Sequence, residues 1–318
     1  MDPSPPWLRY AAFSRGLVGL GDRESPEDLR RASVASPRLQ GLLGELRAWP
    51  GRPLASHRSA EQLFHKLALA ADLGLRRGDQ GADEVSAQVM GSVSAEGPFG
   101  LPMRIEADHG GSGAEVLAWA LCDAPVILRA FLVMGWGGDP RIERAIDYLA
   151  SLTLERGYPC AVSASLGAWR GPGRRGDPCP YATLVMLELL LEAGGRTALV
   201  LSASECLLRL WERSHEEHPY IFWMGNDFRK LKAPLIWYDL LHVLEALSKV
   251  KTLRGDPRFE SMLDVLEAKR GGDGGFTPES VYRCWNAEDF GQKKRPSGYV
   301  TALAQGILAR SGRLPAVR

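Results

Sequence analysis

From about residue 56 the chain repeats a unit of roughly 57 residues, and that period restricts its fold more than any other feature. Each unit opens with an apolar helix: Glu61 to Leu75, Cys122 to Trp136, Cys179 to Ala193, Pro234 to Val250 and Pro296 to Arg310. Pro125, Pro180 and Pro234 stand 55 and 54 residues apart, and Pro296 follows 62 later. Proline suits the first helical turn, where its missing N–H has no intrahelical partner. A second, amphipathic helix follows in each unit. Gly138-Asp-Pro-Arg-Ile-Glu-Arg-Ala-Ile-Asp-Tyr-Leu149 matches Gly255-Asp-Pro-Arg-Phe-Glu-Ser-Met-Leu-Asp-Val-Leu266, each opening with an N-cap aspartate and an N1 proline. Related aromatic turns then close the units at Glu96-Gly-Pro-Phe99, Glu155-Arg-Gly-Tyr158, Glu217-His-Pro-Tyr220 and Asp273-Gly-Gly-Phe276.

Helices that are apolar all round alternate here with helices that are apolar on one side, as two concentric layers require. The reading is all-α: an α/α toroid of about five helix pairs over residues 56–318, with a short helical N-terminal extension over residues 1–55. A flat solenoid is the alternative, and the apolar character of the first helices favours closure. In a closed ring the long connections 100–121, 159–178, 221–233 and 277–295 all emerge on one rim, which makes that rim the elaborated one.

The formal charge is only +1, so no whole-protein field attracts nucleic acid or an anionic bilayer. No apolar run approaches the ~20 residues of a membrane span. The five cysteines are odd in number and scattered, which argues for reduced thiols in the cytoplasm. Basic residues nevertheless cluster in the rim loops: Arg170, Arg174, Arg229, Lys230, Lys232, Lys293 and Lys294, with His109 in the first of those loops. With aromatic Trp119, Tyr181, Trp237, Tyr238 and Tyr299 nearby in the pattern, they suit an amphiphilic small molecule with an anionic head group. Each basic run alone also reads as a solvated face, and each aromatic as plain core.

The Asp273-Gly-Gly-Phe276 turn, the helix-pair period and the proline-marked starts resemble the prenyltransferase and squalene-oxidase repeat of protein prenyltransferase β subunits and class II terpenoid cyclases, over roughly residues 56–312. Cys122-Asp-Ala-Pro125, Asp177-Pro-Cys-Pro-Tyr-Ala-Thr-Leu184, Met224-Gly-Asn-Asp-Phe-Arg-Lys-Leu-Lys-Ala-Pro234, Phe276-Thr-Pro-Glu-Ser280 and Phe290-Gly-Gln-Lys-Lys294 are similar to bacterial proteins carrying that repeat. The resemblance implies an enzyme acting on an isoprenoid, such as a prenyl diphosphate, in the ring's cavity.

For the transferase branch it implies zinc on an Asp-x-Cys and a later His, here Asp177, Cys179 and His242, with Cys160 or His109 as substitutes and Asp239 on the face of His242. Against this, Cys179 also reads as a small buried apolar residue and His242 as a satisfied core histidine. For the cyclase branch it implies a protonated aspartic acid amid aromatic faces, but the family's Asp-x-Asp-Asp motif is absent. Asp123, Asp227 and Asp239 serve singly as candidates, each also readable as an N-cap or ion-pair partner. The competing functional class is a non-catalytic toroid that binds a lipid or a peptide.

Overall fold

The computed structural model describes residues 4–20, 24–54, 56–173, 176–217, 219 and 222–314. The chain is mostly helical. Its helices are α1 (Pro6–Phe13), α2 (Pro26–Val34), α3 (Pro37–Leu46), α4 (Leu63–Asp72), α5 (Ala82–Met90), α6 (Ala124–Val133) and α7 (Pro140–Ser151). After them come α8 (Pro180–Ala193), α9 (Thr197–Glu212), α10 (Asn226–Arg229), α11 (Leu240–Leu247), α12 (Pro257–Glu267) and α13 (Gly298–Arg310).

Local chemistry explains most of the helix starts. Asp139 and Asp256 each accept an N–H at 2.9 Å, from Arg141 and Arg258, as the repeated Asp-Pro motif predicts. Ser25 and Asp28 form a reciprocal capping box on α2, with Pro26 at N1. The aromatic turns are closed by single bridges, Val93 with Phe99 and Arg270 with Phe276, and Phe99, Tyr158 and Phe276 are fully buried. Tyr220, the aromatic of the remaining turn, lies outside the described residues.

Packing follows chain order. α4 packs on α6, α6 on α8, α8 on α11, and α11 on α13; α13 then meets α1, α1 meets α2, α2 meets α3, and α3 returns to α4. The contacts therefore form a closed circuit. Every residue of α11 and the first eleven of α8 are buried, whereas α7 and α12 bury one face each, so two layers of helices are present.

Two expectations need correction. The chain is not purely helical: β1 (Leu101–Arg104) pairs antiparallel with β2 (Glu115–Ala118), Leu101 facing Ala118 and Arg104 facing Glu115. Leu101 and Met103 are buried while Arg104 is exposed, so part of the long 100–121 connection folds back as a hairpin whose inner side chains join the core. The fourth apolar helix also starts late, at Leu240 and not at Pro234. Asp239 supplies the cap by accepting the His242 N–H at 3.0 Å, and Pro234 to Tyr238 run non-helical through the interior. There the Ile236 carbonyl accepts from Tyr181 at 2.8 Å and the Trp237 carbonyl pairs with His242 Nδ1 at 2.9 Å, which satisfies backbone that a helix would otherwise satisfy itself.

Candidate functional site

Inside the circuit the helices leave almost no room. A space of about 40 Å³ is lined by Arg15, His65, Asp72, Arg129, Glu188, His242, Glu245 and Tyr299, with apolar neighbours. Most of its charged groups are paired: His242 Nε2 meets Glu188 at 3.0 Å, Arg129 meets Asp72 at 2.7 Å, and Glu245 pairs with Arg310 at 2.5 Å and Lys249 at 3.5 Å, both from outside the lining. Burial raises the Glu188 carboxyl, but the His242 charge and hydrogen bond outweigh it and hold the group down at about 2. His242 is penalised by burial and still raised, because Glu188 favours its charged form. With Nδ1 on the Trp237 carbonyl, both ring nitrogens of His242 are engaged. A space of this size takes about three waters, at roughly 10–15 Å³ each, and no substrate.

A cavity of about 430 Å³ lies where the residues just ahead of α6 and α8 meet the loops. Leu54, Met103, Ile105, Val162, Trp169, Phe222 and Trp237 give it an apolar and aromatic wall, and Ser56, His57, Arg58 and Arg104 give it polar groups. Three cysteines from three segments, Cys122, Cys160 and Cys179, line it together. The Cys179 thiol interacts with the other two; its own proton affinity is raised by Cys122 and by burial, and that of Cys160 by Cys179 and burial, so both stay protonated thiols at neutral pH.

His57 is the histidine on the wall of this cavity. Its Nε2 meets Asp123 Oδ2 at 2.7 Å, and Asp123 is wholly buried at the N-terminal end of α6, its Oδ1 accepting the Ala120 N–H at 3.1 Å. Burial raises the Asp123 carboxyl, and the bond to His57 works against that rise. His65 Nε2 in turn pairs with the His57 carbonyl at 2.7 Å, fixing the backbone that carries the ring. A histidine whose one nitrogen is held by a buried carboxylate presents the other, Nδ1, for proton transfer.

The sequence-derived candidates are distributed as follows. Cys179 and Trp237 belong to the cavity wall, Trp237 stacked on Phe222 at 5.5 Å and tilted against Tyr181 at 4.4 Å. Asp177 is exposed and faces a separate open cleft beside Arg156 and Arg209, away from His242. The zinc set Asp177, Cys179 and His242 is thus not brought together, and among the described residues no group of three or more His, Cys, Asp or Glu is arranged to hold a metal ion. Asp239 caps α11, and Asp227 is exposed and bonded to Lys230 at 2.5 Å. His109 and Arg170 are exposed, His109 near Asp108 at 3.8 Å and Arg170 donating to the Trp169 carbonyl at 2.7 Å. Arg174 lies outside the described residues. Arg229 sits over the Trp211 ring at 5.0 Å beside a different surface groove, which it shares with Lys230, Lys269 and Glu279. Tyr238 is core, packed on Phe222 and Phe228, and Lys293 and Lys294 are exposed. Lys232 rests over the Tyr282 ring at 3.6 Å.

His57 was missed because nothing beside it marks a site: Ser-His-Arg is an ordinary loop tripeptide. The one available signal was Asp123 at the start of an apolar helix, where the side chain forms no cap bond.

No family model matches the chain, and no curated protein does. Solved structures do match it. A protein from Actinoplanes is 14% identical at a TM-score of 0.45, over 96% of this chain and 90% of that one. A variant of the type II terpene cyclase MstE from Scytonema, in complex with geranylgeranyl dihydroxybenzoate, is 12% identical at 0.46, over 98% and 88%. The same cyclase without ligand is 11% identical at 0.44, over 97% and 89%. At these scores and identities the likeness carries no argument about this chain.

Proposed function

We propose that the closed circuit of helices is an α/α toroid and that the protein is a terpenoid-cyclase-like enzyme, moving a proton on an isoprenoid-type amphiphile held in the rim cavity. The observation that carries the reading is the His57–Asp123 pair on the wall of an apolar, aromatic cavity of about 430 Å³. That volume falls in the usual range for small-molecule sites. His57 is the proton-transferring group and Asp123 the residue that positions it. Trp169, Phe222 and Trp237 supply aromatic faces that stabilise positive charge developing on a bound olefin. Of the two chemistries that the resemblance implies, zinc-dependent prenyl transfer lacks an assembled ligand set among the described residues, and proton-driven rearrangement or cyclisation would run on the His57–Asp123 pair in place of the absent Asp-x-Asp-Asp motif.

The test is turnover of prenyl alcohols and prenyl diphosphates of increasing chain length, with products resolved by mass spectrometry. A new hydrocarbon skeleton or double-bond isomer is expected, lost in His57→Gln and strongly slowed in Asp123→Asn. Binding without turnover in the wild-type protein sinks the enzymatic reading and leaves a non-catalytic binding toroid.

A further inference from the structure

Backbone pairing brings two of the three cavity cysteines together. The segment 158–163 lies between two others. On one side Ala120 bridges Val162, with the Leu121 N–H on the Ala161 carbonyl at 2.9 Å and the Ser163 N–H on the Trp119 carbonyl at 2.8 Å. On the other side Pro159 bridges Pro178, with the Cys179 N–H on the Tyr158 carbonyl at 2.7 Å. Side chains alternate along such a segment, and directly opposed residues share a face. Cys160 and Val162 therefore point one way, Ala120 opposes Val162, and Cys179 opposes Tyr158, which puts Cys179 diagonal to Cys160 on the same face. Ala120, Cys160, Val162 and Cys179 all line the rim cavity, as this register requires.

The Pro159–Pro178 bridge joins the two ends of a stretch that supplies Ala161, Val162, Trp169, Gly171 and Pro172 to the cavity wall. Neither proline has an N–H to donate, so the pairing is short of hydrogen bonds where the two thiols sit. Cys160 is half-buried, whereas Cys179 is only 6% exposed. Gly171 and Gly173 pack directly on Cys160: a Cβ on the first would meet the Cys160 Cβ at 3.0 Å, and a Cβ on the second would meet its Sγ at 2.7 Å. A displacement of Cys160 therefore displaces this part of the wall as well.

We propose that Cys160 and Cys179 are a dithiol that hydrogen peroxide converts reversibly to a disulfide, fastening the base of this stretch and reshaping the rim cavity. The more exposed Cys160 sulfur attacks the peroxide; the O–O bond breaks, the sulfur keeps one oxygen as a sulfenic acid, and the other leaves as water. The Cys179 sulfur then displaces that oxygen as a second water, so the two sulfurs together give up two electrons and the peroxide takes them. Diagonal neighbours stand about 7–8 Å apart in a regular ladder, slightly more than a disulfide spans, so the bond draws the two segments together. The Cys179 thiol and burial hold Cys160 protonated, which makes the first step slow at neutral pH and suits it to sustained exposure over a brief pulse. The disulfide is independent of what the cavity binds.

Treating the reduced full chain with hydrogen peroxide tests the pair. The intact mass is expected to fall by two hydrogen atoms, non-reducing peptide mapping to show Cys160 linked to Cys179, and dithiothreitol to reverse both. Exposed Arg170 lies between the two cysteines, so an oxidised chain nicked there by trypsin is expected to run as one band without reductant and as two with it. The link is expected to be lost in Cys160→Ser and in Cys179→Ser and kept in Cys284→Ser. Phenylarsine oxide gives a reading on the wild-type chain, because it exchanges its oxygen for two neighbouring sulfurs with release of water. It is expected to protect Cys160 and Cys179 together from a maleimide and to leave Cys284 reactive. A link through any other pair, bonds between chains, over-oxidation of Cys160 with no disulfide, or an arsenical that fails to protect both thiols overturns the proposal.

Discussion

The interior of the helical circuit and the cavity at its rim invert the expected division of labour. The interior, where a ring-shaped enzyme would be expected to hold its substrate, is charged and nearly full, with about 40 Å³ left. The rim is apolar and open by about 430 Å³. Buried ion pairs such as Glu188–His242 engage most of the charged groups around the interior space. At the rim the His57–Asp123 pair engages, among the described residues, only Nε2 of the ring in a hydrogen bond. The residues that carry most charge in the middle of this protein pair with one another; the less conspicuous pair at the edge is the one to which the proposed function assigns the chemistry.

The comparison breaks most directly by removing one member of each pair. Glu188→Ala strands a charged imidazole in the interior and is expected to cost about 3–5 kcal/mol in urea denaturation. His57→Gln is expected to change stability by about 1 kcal/mol and to lower turnover roughly 10²- to 10⁴-fold. A Glu188 variant that is fully stable, or a His57 variant that is grossly unfolded, would dissolve the distinction.

Acid sharpens it. Burial holds His65 neutral down to about 3, below its usual 6.5, so its stability is present above pH 6.5 and is lost as pH falls through that range. Glu188 contributes above pH 4.5, its usual value, and loses that contribution toward about 2. The difference in unfolding free energy between wild type and His65→Gln is therefore expected to slope between pH 6.5 and 4.5, a window that the Glu188 titration does not reach. A flat difference curve there would show that His65 is not held neutral.

Thiol labelling offers a smaller effect. Cys284 is exposed and is expected to react first with a maleimide, and Cys160 more slowly; a bound amphiphile should protect Cys160 and leave the rate at Cys284 unchanged. Equal protection at both sites would place the ligand elsewhere. The smallest expected change is Lys230→Ala, whose ion pair with Asp227 is exposed and screened by solvent and whose loss should leave stability and turnover as they were.

The sequence by itself determined what is local. The Asp139 and Asp256 caps, the prolines at the starts of α6 and α8, the apolar α8 and α11, and the buried aromatic turns all follow from contacts within a few residues or from 3.6-residue periodicity. Asp239 and His242, three apart, looked like partners in chemistry because the same spacing serves a cap, and only the extended path of Pro234 to Tyr238 decided between them. Tertiary structure alone decided the site. His57 and Asp123 lie 66 positions apart, and Cys122, Cys160 and Cys179 come from separate segments. Periodicity assigns each residue a face on its own element; which faces meet is set by packing between distant elements, where one sequence carries no local trace of the partner.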